Sequence, residues 1–161
     1  MVETKNEESL ADRSLKLERV FDAPRALVFE ACSKTEHINR WMCPTGFTIP
    51  SSTGDFRVGG KWRSNMQAAD GEPYPMEGVY EKIIENELIV TSHSWIGDDG
   101  KPEHWTTLTF RFEDAGPGKT RLIMEHVNLR SKQSRDNHVG GWTMCLDKLG
   151  PLVAELKEKK S

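Results

Sequence analysis

The sequence predicts an α+β domain in which one face of an antiparallel sheet is covered by a long amphipathic helix. Three observations carry this. From about Phe47 to Asn128, short alternating stretches are separated by polar turns; one strand-like and two short helical stretches precede them; and Ser134 to Lys157 repeats apolar residues at helical spacing.

Taken in order, "SLKLERVF" (Ser14 to Phe21) puts Leu15 and Leu17 on one face and Lys16 and Glu18 on the other, the pattern of a half-buried strand. "DAPRALVFEAC" then starts a helix, with Asp22 as the expected N-cap and Pro24 in the first turn, where its missing amide hydrogen is harmless. A second short helix, Lys34 to Trp41, should end before Pro44, because the residue preceding a proline disfavours helix. "FTIPSSTGDF", "KWRSNMQA", "MEGVYEKII", "LIVTSHSW", "HWTTLTFRFE" and "TRLIMEHVN" follow as six strands of a meander, with "DGEP", "ENE", "GDDGKP" and "AGPGK" among the turns. The final helix carries Val139, Trp142, Cys145, Leu146, Leu149, Leu152, Val153 and Leu156 on one side. Gly150 and Pro151 inside it predict a kink near Asp147 to Pro151, and with Gly140 and Gly141 they flank the inward residues and make the kinked helix a candidate gate for ligand exchange.

"FRVGGKW" tests whether phosphate chemistry is present. It lacks the GK[ST] ending of a phosphate loop and precedes a strand, whereas phosphate-binding glycine loops use the amides of a following helix. A corner is the remaining reading: Gly59 and Gly60 permit positive φ, and Asp55 and Arg57 are placed to tie the bend with an ion pair.

Composition narrows the function classes. With 161 residues, 36% hydrophobic and 29% charged, the chain reads as one domain over 14–158, after a leader at 1–13 expected to be disordered and before a tail at 159–161. No apolar run approaches the roughly 20 residues of a membrane span, and "MVETKNEESLADRS" is polar and acidic, so a cytoplasmic protein without membrane insertion is expected. A net charge of -3 with scattered basic residues argues against a nucleic-acid partner. Cys32, Cys43 and Cys145 are odd in number, lack CxxC spacing and read as buried reduced thiols. The five histidines show no HxxxH or HxH pairing, no serine sits in a GxSxG elbow, and no acid pair stands out, so neither a metal, a cofactor nor a catalytic residue is expected.

Alternation says which side chains face inward. Trp62, Ser64, Met66 and Ala68 share one face of their strand; Thr106, Leu108, Phe110 and Phe112 share another; Leu122, Met124 and His126 a third, and His93 and Trp95 also share a face. Aromatics, methionines including Met76, and isolated polar atoms suit a small-molecule pocket, but the same residues also build a solid core. Buried Ser64, Thr106 and His126 would each need a hydrogen-bond partner, supplied by a ligand, a cavity water or a neighbour.

Several stretches taken together resemble a known family: "RVFDAPRALVFEACSKTEHINRWMCP", "GDFRVGGKW", "MEGVYEKI", "WTTLTFRFED", "GKTRLIMEH" and "HVGGWTMCLDKL". They are similar to the START-like (SRPBCC) superfamily, in the branch named for the activator of the heat-shock-protein-ninety ATPase, and the likeness runs from Ser14 to Leu156. The resemblance implies a helix-grip (START/Bet v-like) fold: a curved antiparallel sheet of about seven strands around the C-terminal helix, enclosing an apolar cavity. On that basis the candidate lining is Trp41, Trp62, Ser64, Met66, Met76, Tyr80, His93, Trp95, Thr106, Phe110, Met124, His126, Trp142, Cys145, Leu146 and Leu149. The expected function is binding of a hydrophobic or aromatic small molecule. A co-chaperone activating the heat-shock ATPase is one alternative, although the eukaryotic protein that names the branch carries an N-terminal chaperone-binding domain and only residues 1–13 precede the fold here. An enzyme acting on a cavity-bound molecule is the other. Either a monomer or a homodimer joined through an exposed edge strand is expected.

Overall fold

A computed structural model describes residues 8–160, so most of the expected leader, and Ser161 of the tail, lie outside the described residues. Glu8 to Arg13 are described, and they are tied to the domain. Ala11–Arg13 form a 3-10 turn, and the Arg13 guanidinium donates to Asn128 Oδ1 at 2.9 Å and to the Leu129 carbonyl at 3.0 Å.

Seven strands follow the predicted boundaries closely: β1 (Leu15–Phe21), β2 (Phe47–Gly54), β3 (Lys61–Ala68), β4 (Pro73–Ile84), β5 (Leu88–Trp95), β6 (Thr106–Asp114) and β7 (Thr120–Val127). They form one antiparallel sheet in the order β1-β7-β6-β5-β4-β3-β2, so the meander is continued at its far edge by β1. Register shifts between Thr48 and Ser51 and between Tyr80 and Lys82 interrupt the ladders, and bulges of this kind bend a sheet. Along β7 the pattern is strict: Thr120, Leu122, Met124 and His126 are buried and the residues between them are half-exposed.

Helices α1 (Arg25–Ser33) and α2 (Thr35–Trp41) connect β1 to β2. Asp22 is not the N-cap of α1: Pro24 holds that position in an extended conformation without a side-chain cap, and Asp22 pairs with Lys157 at 3.5 Å. The long helix α3 (Lys132–Lys159) starts two residues earlier than the periodicity suggested, because the Ser131 hydroxyl accepts from the Ser134 amide and caps it. Pro151 lies inside it, and the helix continues past it to Lys159.

The corner at Gly59 and Gly60 has two separate requirements. Gly59 has φ +85, a left-handed conformation that costs glycine little. Gly60 does not; there a Cβ would overlap the Asp55 carbonyl. Arg57 Nε meets Asp55 Oδ2 at 2.7 Å, as the sequence suggested, and the corner is stitched to β4 by hydrogen bonds between Gly59 and Gly60 and the Tyr80 main chain. The seven-stranded sheet, the long C-terminal helix and the two short helices after the first strand make a helix-grip fold. Among the described residues no helix is long and apolar enough to cross a membrane.

Candidate functional site

Between the N-terminal half of α3 and the concave face of β3 to β7 lies a pocket of about 230 Å³. Met66 of β3, Met76 of β4, His93 and Trp95 of β5 and His126 of β7 line one side, and His138, Gly141, Trp142 and Cys145 of α3 face them. Met42 and Pro44, just after α2, complete the wall, while exposed Asn137 and half-buried Pro44 and Gly141 mark its rim. No lysine, arginine, aspartate or glutamate lines it. A larger hollow of about 550 Å³ lies elsewhere, but it is bordered by Asp22, Lys157 and the half-exposed Val20 and carries no aromatic cluster.

Seven of the sixteen sequence-predicted residues meet at the pocket: Met66, Met76, His93, Trp95, His126, Trp142 and Cys145. Trp62, Ser64, Tyr80 and Phe110 instead border a separate hollow of about 40 Å³ under α2, and Thr106 one of about 50 Å³ beside His104. Trp41, Met124, Leu146 and Leu149, at 0%, 0%, 1% and 0% exposure, fill the core and line none of these hollows. Inward alternation is shared by core and cavity, and only the depth of filling separates them.

Met42, Pro44, Asn137 and His138 were missed, and Gly141 was expected as part of a gate and not of the lining. Met42 and Pro44 belong to a connection with no periodicity, and His138 precedes the apolar stripe by one residue. Of the residues expected to make the helix a gate, Gly141 lines this pocket, whereas Gly150 borders the separate hollow beside Phe21 and Lys157.

The polar atoms around the pocket form chains of fixed direction. An indole N–H can only donate, so Trp142 Nε1, 3.1 Å from His126 Nδ1, makes that nitrogen an acceptor. His126 Nε2 then carries the hydrogen and donates to Thr106 Oγ1 at 2.8 Å, whose hydroxyl donates onward to the His93 carbonyl at 2.9 Å. On the helix side, His138 Nδ1 donates to the Ser134 carbonyl at 2.7 Å, which leaves Nε2 to accept from Trp95 Nε1 at 3.4 Å. Two tryptophans and two imidazoles thus satisfy one another across the gap between sheet and helix. A proton added to His126 would have to break its bond with Trp142.

Burial reinforces this. It pushes the His126 imidazole well below the ordinary histidine range, with the neighbouring His93 and His138 adding to the effect. His93, 4% exposed, is lowered to about 3, mainly by burial and then by His138. Ring centroids stand 5.3 Å apart for His93 and His126 and 5.2 Å for His126 and His138, in edge-on contact. Among the described residues no group of three or more His, Cys, Asp or Glu side chains is arranged to hold a metal ion. The three cysteines are free and buried; burial raises the Cys145 thiol to about 12, and its apolar surroundings keep it protonated.

What this geometry can do is hold a compact apolar body against two indoles and present the neutral His93 imidazole to a polar atom it bears. Comparisons with known proteins agree with the fold. The AHSA1 protein from Silicibacter pomeroyi is 28% identical and superposes with a TM-score of 0.79, over 91% of this chain and 99% of that one. A protein from Chromobacterium violaceum is 24% identical with a TM-score of 0.77, over 88% and 97% of the two chains. One from Nitrosomonas europaea is 20% identical with the same TM-score of 0.77, over 92% and 98%. Among curated proteins no significant match is found. Residues 22–154 match the family described as "Activator of Hsp90 ATPase homolog 1-like protein", and the chain therefore belongs to that family.

Proposed function

We propose that the protein binds a small hydrophobic or aromatic molecule in the pocket under the N-terminal half of α3. The observation that carries this reading is an uncharged pocket of about 230 Å³ walled by Met66, Met76, Trp95 and Trp142 and backed by neutral histidines. An apolar cavity of roughly 150 Å³ takes up benzene, so this volume suits a molecule of one or two rings rather than a long lipid chain.

Because Trp95 and Trp142 line the wall, binding should quench tryptophan fluorescence saturably. Native mass spectrometry of the freshly purified protein, followed by solvent extraction, tests the same reading without choosing a ligand. A defined mass leaving with the protein supports it, and an apo mass together with no quenching by small aromatics overturns it. The family's description, "Activator of Hsp90 ATPase homolog 1-like protein", supports stimulation of that ATPase as the alternative, which a change in its rate on adding the protein would favour. Turnover of a bound molecule that disappears in His93→Ala or His126→Ala would favour an enzyme.

A further inference from the structure

The ligand's chemical class follows from one side chain in that pocket, and the inference rests on the binding reading above. Three imidazoles border the pocket. His126 and His138 are each engaged at both nitrogens. His93 differs from both: it is 4% exposed, touches Trp62, Trp95 and His126 by ring contact, and forms no side-chain hydrogen bond to another described residue.

A neutral imidazole carries one N–H and one lone pair, so each ring nitrogen of His93 has a hydrogen bond still to make. A buried polar group left unpaired is costly, so a ligand bearing one hydrogen-bonding group has a partner waiting there. The same pocket has no charged side chain to balance a carboxylate or an ammonium group.

We propose that the pocket selects a neutral aromatic molecule of one or two rings bearing a single polar group, a phenolic O–H or a ring N–H, and that this group hydrogen-bonds to the His93 imidazole. His93 is then the specificity-determining residue. Trp95 and Trp142 give the ring its edge-to-face surroundings, and the methionines adapt to its outline.

Isothermal titration of the intact protein with p-cresol, indole, toluene and benzoate tests this. We expect p-cresol and indole to bind about tenfold more tightly than toluene, the increment of one buried neutral hydrogen bond, and benzoate to bind more weakly than all three. In His93→Phe, p-cresol should fall to the affinity of toluene while toluene keeps its own. Nitrogen NMR of the unaltered protein supplies a readout that does not depend on the variant folding: p-cresol should shift the His93 ring nitrogens and toluene should not. Equal affinities for p-cresol and toluene, His93 ring-nitrogen resonances indifferent to p-cresol, or tightest binding of benzoate would each overturn the assignment of His93 while leaving the pocket a binding site. Failure of all four probes to bind would overturn the binding reading itself.

Discussion

The two ends of the space between the sheet and α3 are lined by similar residue types but finish differently. Towards the C-terminal half of the helix, Leu149, Leu152, Val153 and Leu156 are buried in the same cluster as Phe29, Phe112 and Leu122, with α1 packed against both α3 and β6. Towards the N-terminal half, the corresponding stripe residues Trp142 and Cys145 face Met66, Met76 and His93 across a gap. The inserted short helix makes the difference. Where α1 supplies Leu27, Val28 and Phe29 as a further layer, the core closes; where only the Met42 to Pro44 connection covers the sheet, a pocket remains. Hydrophobic patterning decides which face is buried, and the local cover decides whether that face is filled.

Truncation should separate the two ends most sharply. Leu149→Ala removes a side chain at 0% exposure from the closed end and should cost about 2–5 kcal/mol, read from denaturant unfolding. Cys145→Ala, one turn earlier on the same stripe, removes a single sulfur beside space that already exists and should cost about 1 kcal/mol or less. Equal losses would mean that the pocket end is packed as tightly as the core, and the comparison would fail.

Acid should distinguish the ends next. His93 is held near 3 and His126 well below its ordinary value, so both are neutral in the folded protein and protonate more readily once unfolded. Their lowered values therefore leave stability intact above about pH 6.5 and erode it as pH falls towards the folded values, at about 1.4 kcal/mol per pH unit for each histidine. Carboxylates at the closed end act later. Glu155 is held at about 2 by its hydrogen bond to Arg40, so its contribution is present above about pH 4.5 and fades below that. Between pH 6 and 5 the pocket histidines should dominate the loss. His93→Phe should roughly halve that slope, because it removes one of the two titrating rings without stranding a hydrogen-bond partner. An unchanged slope would show that His93 is not buried and neutral as described.

The fold was legible in sequence almost element by element, because alternation and helical spacing are local properties. β3 was readable from Trp62, Ser64 and Met66 against Lys61, Arg63 and Asn65, and the strand bounds agree. The candidate site was legible only in part. Trp142, Cys145, Leu146 and Leu149 occupy one stripe of α3, and nothing in their spacing tells that the first two face a void while the last two are enclosed; that depends on where the sheet's bend and α1 fall along the helix. The hydrogen-bonded chains through His126 and His138 join residues far apart in sequence, such as Trp95 and His138, so no local pattern announces them.

The smallest effects concern the pair of glycines that the pocket end carries in its helix. Gly140 is exposed and a Cβ there would meet nothing within 4 Å, so Gly140→Ala should stabilise by about 0.5–1 kcal/mol through helix propensity and leave binding unchanged. Gly141 lines the pocket, and its Cβ would stand 3.7 Å from Pro44 Cγ on the opposite rim. Alanine fits there. A longer side chain must project across the mouth, so Gly141→Leu should slow the association of p-cresol in stopped-flow fluorescence while the Tm holds or rises. If association is as fast as in the unaltered protein, molecules reach the pocket by another route, and the rim between Asn137, Gly141 and Pro44 is a wall instead of a door.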